Sequence, residues 1–432
     1  MADLVVRPVA SDEEAERFLR ATPNGMGLPT WEPEPAAWWS GPGLGARFGG
    51  VPDAAWFLRE RGSLPDRDRT QAAFVGGELV GTSGLLSLEL TVPGPRTLPM
   101  GGVTWVGVHP THRRQGLLRA MMRALLDDGH RRGEAVAALS ASEGGIYGRF
   151  GFGPATTQVR WELSRGQGPA RPASDGGRLA LVGPEEAGAA WAALHEEARR
   201  TRVGEVSAYP GYWDTLAGRD ESGRDASRLR VLHCDSAGRV DGGAAYRIPW
   251  SPLPEESGLV QVDWLEAVAP SAYTALWSFL SDQDLTRRVA AGHRPVDEPL
   301  RWQLRDPRAL RVTRLSDNLW VRLIDVGAAL AARRYAISST IVLEVADAFC
   351  PWNAGRWILE AGPDGSRVAR AGSATPPDIA LDVAALGAAY LGGVSLLLLA
   401  RAGLVQEVAP RALAQAAGLF STLEAPHNAI GF

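Results

Sequence analysis

Residues 101–155 read GGVTWVGVHPTHRRQGLLRAMMRALLDDGHRRGEAVAALSASEGGIYGRFGFGPA, and this stretch decides the fold of the chain. Its first part, Val103–Val108, alternates β-branched residues with small or aromatic ones, which predicts a strand. Apolar residues then recur at helical spacing, so Leu117–Arg131 is predicted to be an amphipathic helix that stops at Gly133. Ala135–Ser140 is a short apolar strand. The order is therefore strand, basic turn, helix and strand.

The basic turn between the first strand and the helix has the features of an anion site. Free backbone N–H groups at a helix N-terminus point at a ligand, and the helix dipole there favours negative charge. Arg113 and Arg114 add positive charge, and arginine can hold a pyrophosphate through two hydrogen bonds. Gly116 lets the backbone come close to a ligand. An isolated Arg-Arg-x-Gly is more often a solvated surface loop, but the flanking strand and helix favour a ligand site.

The turn lacks the Walker pattern and the dinucleotide-binding fingerprint. It instead resembles the coenzyme A motif of the GNAT N-acetyltransferases, in which Arg or Gln is followed by two residues, Gly, one residue, and Gly or Ala. Arg113, Gly116 and Leu118 stand at these positions, and Leu118 replaces the usual Gly or Ala. That replacement, the surrounding VHPTHRRQGLLRAMM and the later SEGGIYGRFGFGPAT resemble the Eis (enhanced intracellular survival) family of GNAT N-acetyltransferases. The resemblance extends over most of the chain and is weakest at Pro23–Pro65.

The resemblance implies that acetyl-CoA is the co-substrate. It implies that the pantetheine arm lies along backbone groups at the end of the strand and that the pyrophosphate lies on the turn. The coenzyme-binding residues expected on this basis are Val106, Gly107, Val108, Arg113, Arg114, Gln115, Gly116, Leu117, Leu118, Arg119, Ser142 and Glu143.

The alternation of strands and helices predicts an α+β fold. We expect a GNAT acetyltransferase domain over residues 1–164, including a hairpin around Gly76-Gly77. The resemblance implies a second, degenerate GNAT-like domain over 178–307, which lacks a basic turn and is expected to bind no coenzyme. It also implies a sterol-carrier-protein-like domain over 308–432, for which we predict no lipid ligand.

Tyr147 is the candidate general acid. It lies in a glycine-rich segment, on a short helix that Ser142 is predicted to cap. A phenol has an ordinary pKa of about 10, so it stays protonated at neutral pH and suits proton donation to a departing thiolate. The alternative is a tyrosine packed beside Phe150 and Phe152 with its hydroxyl bonded to the backbone. The resemblance favours the acid.

The chain ends at Phe432, and the resemblance implies that the carboxylate of an aromatic last residue enters the active site. We predict that this carboxylate is the general base, directly or through a water. The core stretch offers only His109, His112 and His130, at a strand end, in the turn and on the polar side of the helix. Glu143 is an alternative, although the dipole at a helix start stabilises its ionised form. The other possibility is a frayed, solvated chain end.

Composition limits the function classes. The 432 residues, 45% of them hydrophobic, are enough for two or three domains, and the net charge of −4 argues against nucleic-acid binding. Cys234 and Cys350 offer neither a disulfide framework nor metal-ligand spacing, so no metal is predicted. The N-terminus lacks a long apolar signal core, and the most apolar run, Val394–Ala400, is too short to span a bilayer. A cytoplasmic protein without membrane contact is expected.

The sequence therefore predicts an acetyl-CoA-dependent N-acetyltransferase that acts on a primary amine of a small cationic acceptor, such as an aminoglycoside, a polyamine or lysine. Residues 30–61, rich in Trp and Phe, either line the acceptor pocket or form a minor core. Their acidic residues Glu32, Glu34 and Asp53 are open to the same two interpretations. The resemblance implies a hexamer. The alternative function is a coenzyme-A-binding regulatory or scaffold protein with a decayed transferase site, which would release no thiol when an amine is added.

Overall fold

The computed structural model describes residues 4–25, 66–173, 176–218, 227–249 and 258–432, and in this part of the chain the strands form three sheets. The first sheet consists, in order across it, of β1 Leu4–Arg7, β2 Thr70–Val75, β3 Glu78–Val92, β4 Arg96–Val108, β5 Val136–Ser140, β14 Leu319–Leu323 and β6 Gly153–Pro154. Its helices are α1 Asp12–Gly25, α2 Leu117–Arg131 and α3 Gly144–Tyr147.

The second sheet also has seven strands. It consists of β13 Arg311–Asp317, β7 Thr157–Ser164, β12 Arg288–Pro295, β11 Leu259–Ala267, β10 Val240–Arg247, β9 Arg228–Cys234 and β8 Arg178–Leu181. Its helices are α4 Pro184–Arg199, α5 Tyr212–Ala217, α6 Pro270–Ser281 and α7 Leu300–Gln303. In each of these two sheets one parallel pair, β4 with β5 and β11 with β12, is joined by a helix.

The third sheet consists of β17 Gly365–Ala371, β16 Gly355–Gly362, β15 Ser339–Ala346, β18 Ile379–Asp382 and β19 Val405–Glu407. Its helices are α8 Val326–Ala332, α9 Val383–Ala389, α10 Leu396–Arg401 and α11 Ala412–Phe420. The third unit is therefore also mixed α and β, as expected.

The first two units exchange a strand. β14 lies between β5 and β6 of the first sheet, and β7 lies in the corresponding place between β12 and β13 of the second sheet. β7 follows β6 directly in the chain, and β14 follows β13, so each unit completes the sheet of the other. A linear division at residues 164 and 308 therefore does not follow the sheets. The physical reason is that strand pairing over a long chain separation leaves no local mark in the sequence.

Local signals in the sequence explain several elements. Gly76 and Gly77 have φ values of 58° and 83°, which a two-residue hairpin turn needs, so the predicted hairpin is confirmed. The strand predicted at Val103–Val108 begins earlier, at Arg96. Helix α2 buries all its leucines and methionines except Leu118, which is half-buried, and ends before Gly133, which has φ 76°. These elements fix the position of the basic turn.

Helix α10 was not predicted. Ser395 begins it by accepting a hydrogen bond from Leu397 N at 3.2 Å, and Leu396 and Leu399 are buried while Leu397 and Leu398 are exposed. A serine cap before four leucines was the available signal. In the described ranges, none of the helices combines the length and the apolar character that crossing a membrane requires.

Candidate active site

The two parallel strands of the first sheet separate where the coenzyme site is predicted. β4 pairs with β5 from Met100 to Gly102, and the two strands then diverge. The register between β3 and β4 also shifts at this point, and Trp105 has φ 59°, which is the conformation of a β-bulge. Val106 and Val108 beyond the bulge are half-buried, and Gly107 is buried. Val106, Gly107 and Val108, which are predicted to contact the pantetheine arm, therefore lie beyond the point where β4 and β5 stop pairing.

The basic turn connects the end of β4 to α2. Arg113, Arg114, Gln115 and Gly116 are exposed, and Arg114 and Gly116 have φ values of 62° and 87°. A Cβ at position 116 would have no atom within 4 Å, so the space above this residue is open.

The helix that follows the turn begins without a side-chain cap. Its first N–H groups are therefore available to an anion. Leu117 is buried and holds the start of α2 against the sheet, Leu118 is half-buried, and Arg119 is exposed. The turn thus combines positive charge, free donors and open space.

Tyr147 is buried, with 7% of its surface exposed, at the end of α3. Its ring packs edge-to-face on Phe152 with the centroids 6.1 Å apart, and it shares a hydrophobic cluster with Val103, Val106 and Leu118. Burial, and secondly the charge of Glu143, raise the pKa of Tyr147 to about 12. The phenol therefore stays protonated and lies in the same cluster as residues of β4 and α2.

The predicted Ser142 cap is wrong. Helix α3 begins after Glu143, which is its N-cap residue and makes no capping hydrogen bond through its side chain. Ser142 and Glu143 are both exposed in the connection from β5 to α3. With two glycines in its first turn, α3 is too short for a side-chain cap to decide its start.

The last residue of the chain reaches the first sheet. A Cβ at Gly102 would lie 3.1 Å from Cε2 of Phe432 and 3.2 Å from its Cδ2, so the aromatic ring covers this glycine. Gly102 is the residue at which β4 leaves β5. Ile430, two residues earlier, is 1% exposed and belongs to the large core that joins the first and third units. The chain end is therefore packed, and the frayed-terminus alternative does not describe it.

Comparison with known proteins agrees with this geometry. Profiles of an acetyltransferase (GNAT) domain match residues 48–155 and 204–323, and a sterol carrier protein domain profile matches 326–429. N-acetyltransferase Eis of Mycobacterium tuberculosis is 38% identical over 331 residues, covering 73% of this chain and 77% of that protein. The chain belongs to the Eis family of GNAT N-acetyltransferases.

Two further relatives of this Eis-family chain cover nearly its whole length. An uncharacterized N-acetyltransferase of Streptomyces avermitilis is 42% identical over 391 residues, which cover 89% of this chain and 94% of that protein. The crystal structure of Eis1 from Mycobacterium abscessus superposes with a TM-score of 0.81 at 35% identity, covering 99% of this chain and 100% of that one. The protein is thus an acetyltransferase enzyme of the GNAT kind, a class that uses acetyl-CoA and acts on a small-molecule acceptor.

The third unit of this Eis-family enzyme contacts helix α2, which the sequence did not predict. The guanidinium carbons of Arg119 and Arg123 lie 5.2 Å and 4.2 Å from the ring centroid of Phe349, within cation–π distance. His130, further along α2, stacks on Trp352 with the centroids 4.5 Å apart. No local pattern marks such a contact, because the two partners are more than two hundred residues apart.

The aromatic region predicted at residues 30–61 lies outside the described residues, as do Glu32, Glu34 and Asp53. The described part of the chain contains no group of three or more His, Cys, Asp or Glu residues arranged to hold a metal ion.

Proposed function

We propose that this enzyme transfers the acetyl group of acetyl-CoA to a primary amine of a small cationic acceptor, which is aminoglycoside-like, a polyamine or lysine. One observation carries the proposal: both candidate catalytic residues lie against β4 where it leaves β5. The ring of Phe432 covers Gly102, and Tyr147 packs in the cluster that contains Val103 and Val106. An acid and a base on one opening are what a direct transfer between a thioester and an amine requires.

The residues around the opening fit acetyl-CoA. The exposed arginines and the uncapped start of α2 suit a pyrophosphate, and the open space above Gly116 leaves room for it. We propose that Arg113–Arg119 hold the pyrophosphate, that Val106–Val108 offer backbone groups to the pantetheine arm, and that Ser142 and Glu143 lie beside it. The coenzyme supplies an acetyl group activated as a thioester.

Tyr147 is proposed to stabilise the departing thiolate. Because its pKa of about 12 lies above the pKa of about 8.5 of an ordinary thiol, net proton transfer to the thiolate is unfavourable, and we expect the hydroxyl to stabilise the negative charge that develops on the sulfur by donating a hydrogen bond to it. A donor that stays protonated at all physiological pH values is suited to this task. After the carbon–sulfur bond has broken, the thiolate or solvent takes up the second proton that the acetylated nitrogen releases.

The Phe432 carboxylate is proposed to take the proton from the attacking ammonium group, directly or through a water. The neutral amine then forms the carbon–nitrogen bond as the carbon–sulfur bond breaks, so no covalent enzyme intermediate is needed. The negative charge of the carboxylate also favours a cationic acceptor. A packed aromatic ring beside the carboxylate fixes the position of this otherwise mobile group.

The test measures thiol release from acetyl-CoA in the presence of aminoglycosides, polyamines and lysine peptides. Tyr147→Phe and deletion of Phe432 should each lower kcat by about two to four powers of ten while coenzyme affinity is kept, since general acid or base help has this size. Full turnover by either variant with a good amine would remove that residue from the mechanism. No thiol release from the wild-type enzyme with any amine would favour the regulatory or scaffold function.

A second test addresses the coenzyme site. Arg114→Ala combined with Gly116→Glu removes a positive charge and places a carboxylate in the open space, so calorimetry should detect no acetyl-CoA binding. Arg131→Ala is the matched control, because Arg131 lies at the other end of α2 with 71% of its side chain exposed. Unchanged affinity for acetyl-CoA in the double variant would show that the coenzyme binds at another site.

We also propose that the enzyme forms a homo-oligomer, a hexamer as the family resemblance implies. The edge strand β13 exposes Val312 and Leu315 by 47% and 66%, and apolar side chains on a sheet edge favour association. Light scattering at micromolar concentration tests this proposal, and a monomer would contradict it.

A further inference from the structure

The end of the chain is held by hydrogen bonds to the second unit. His427 donates its N–H to Val203 O at 2.9 Å, and Ala429 donates its N–H to Glu205 Oε2 at 2.9 Å. Glu205 is 1% exposed, so its carboxyl group is committed to the interior. Chain ends commonly fray, but these hydrogen bonds hold the end of this chain in place. The last eight residues, 425–432, are named the tail here.

The side chain of Asn428 fixes the backbone conformation of this tail. Its Nδ2 donates to Ile430 O at 2.7 Å, and its Oδ1 accepts from Ile430 N at 3.2 Å, so one side chain closes a turn around the backbone of the last residues. The backbone oxygen of Asn428 accepts a hydrogen bond from Asn318 Nδ2 at 2.7 Å. Asn318 lies between β13 and β14, where the chain crosses from the second sheet to the first. The turn is thereby fixed to both units.

A short segment of the second unit connects the tail to the first sheet. This segment, residues 203–207, is named the strap here. Gly204 donates its N–H to Thr91 O at 2.8 Å, and Ser207 donates its N–H to Glu89 O at 2.9 Å, so the strap runs along β3 like an added strand. The carboxyl group that holds the tail, that of Glu205, lies in the middle of the strap.

These contacts form a closed path. β3 pairs with β4 at Leu86 and Gly102, the strap pairs with β3, the tail is bonded to the strap, and the ring of Phe432 returns to Gly102. Apolar packing such as that of Ile430 would suffice to cover the core. Hydrogen bonds at successive residues constrain the tail more tightly than apolar packing does, because they are directional. They fix both the position and the orientation of the last two residues.

We propose that Glu205 and the Asn318–Asn428 pair are positioning residues that hold the Phe432 carboxylate at the transfer site, so that the second unit acts as the clamp of the catalytic chain end. This inference rests on the proposed base role of Phe432. It assigns a task in catalysis to a unit in which we expect no coenzyme.

The experiment compares kcat and KM of the wild-type enzyme with those of four single substitutions, the Phe432 deletion, and that deletion combined with Asn428→Ala. Asn428→Ala and Glu205→Met should lower kcat by about 10- to 100-fold, the usual effect of moving a reacting group by about 1 Å, and should leave KM for acetyl-CoA unchanged. Glu205→Gln keeps an oxygen that accepts from Ala429 and should restore turnover. Deletion of Phe432 gives the full loss of the base.

Asn353→Ala is the matched control for loss of stability. Asn353 is as buried as Asn428, at 1% exposure, and its Nδ2 donates to Leu323 O on β14 and to Asp347 Oδ2 of the third unit, not to the tail. It should lower the unfolding temperature without lowering kcat at temperatures where the protein is folded. Amide hydrogen exchange of the tail should be faster in Asn428→Ala and unchanged in Asn353→Ala.

The outcomes separate the two proposals. If Phe432 deletion and Asn428→Ala both lower kcat, and combining them is no worse than the deletion alone, the clamp is supported, because coupled residues are not additive. If the deletion lowers kcat and neither Asn428→Ala nor Glu205→Met does, the clamp is overturned and the base role stands. If the deletion leaves kcat unchanged, the base role and the clamp both fail. Should Asn428→Ala not fold, the pair Glu205→Met and Glu205→Gln decides alone.

Discussion

A fully buried ion pair joins the third unit to the first sheet. Removing the positive partner and removing the negative partner are expected to lower the free energy of unfolding by different amounts. Arg322 on β14 and Asp347 after β15 are 0% and 1% exposed in their side chains, with Nη2 and Oδ2 2.6 Å apart. Arg322 also donates to Leu323 O at 3.0 Å. A Cβ at Gly151 would lie 2.7 Å from Arg322 Nε, so the guanidinium packs under the turn that follows Tyr147.

The surroundings of the two charges are unequal. Asp347 accepts hydrogen bonds from Phe349 N at 3.1 Å, Cys350 N at 2.8 Å and Asn353 Nδ2 at 3.0 Å, besides the one from Arg322. If Arg322 is removed, the carboxylate therefore keeps three donors. If Asp347 is removed, the guanidinium keeps one carbonyl oxygen, and its Nε has no partner among the described residues.

The expected magnitudes follow from this inequality. Asp347→Ala leaves a buried, nearly unpaired positive charge, which costs about 3–5 kcal/mol of the free energy of unfolding. Arg322→Met keeps much of the volume and leaves a carboxylate that is still hydrogen-bonded, which costs about 1–3 kcal/mol. The double variant Arg322→Met with Asp347→Leu removes both charges and should be more stable than Asp347→Ala alone.

Urea unfolding, followed by tryptophan fluorescence and circular dichroism, measures these differences. The slope against urea concentration must agree between variants, since a changed slope reports a different unfolding transition. The reasoning is refuted if Arg322→Met costs as much as Asp347→Ala, or if the double variant is the least stable of the three.

Tyr147, His427 and Gly102 give three further tests. Because burial raises the pKa of Tyr147 to about 12, kcat should show no falling limb up to about pH 10, and a limb near pH 9 that Tyr147→Phe removes would contradict this. Burial, and then the charge of Arg202, lower the pKa of His427 well below its ordinary value. The unfolded chain therefore binds a proton that the folded chain excludes, so stability should fall as pH drops below about 6.5, and His427→Asn should flatten this loss in urea unfolding at pH 5 and 7. A Cβ at Gly102 would lie 2.7 Å from Leu88 Cδ1 and 3.1 Å from Cε2 of Phe432, so Gly102→Ala should shift both side chains, and steady-state assays should show kcat reduced by about tenfold with KM for acetyl-CoA unchanged; an unchanged kcat would show that the position of the ring does not affect catalysis.

The basic turn was predictable because its signals are local. A strand that stops before Pro110, an amphipathic helix and a glycine with positive φ at position 133 all lie within one short stretch. Each signal is set by the period of the side chains or by backbone sterics, and neither depends on distant partners. The same holds for the cap of α1, where Ser11 Oγ accepts from Glu14 N at 3.1 Å.

The exchange of strands was not predictable. Val312 to Val326 lies at the start of the domain expected over 308–432, yet it divides at Asn318 between β13 of the second sheet and β14 of the first. β13 is exposed along almost its whole length and β14 is buried throughout, and no local pattern tells which of the two sheets takes which strand. Glu205 and Asn428 had no signal either, since a single acid or amide in a connecting segment is most often solvated.

The two GNAT units differ at the point where their two parallel strands part. In the second unit, β11 and β12 pair in parallel only from Leu259 and Arg288 onward for four residues before they part, as β4 and β5 do. There Arg294 Nη1 donates to Leu265 O at 2.8 Å across the gap, and Arg294 is paired with Glu298 at 2.7 Å. In the second unit a largely buried ion pair of Arg294 and Glu298 therefore lies beside the point where the strands part, whereas the basic turn of the first unit is exposed. We expect the second unit to bind no coenzyme. Its strap is hydrogen-bonded instead to the tail that ends in Phe432, the residue that we propose to be the base.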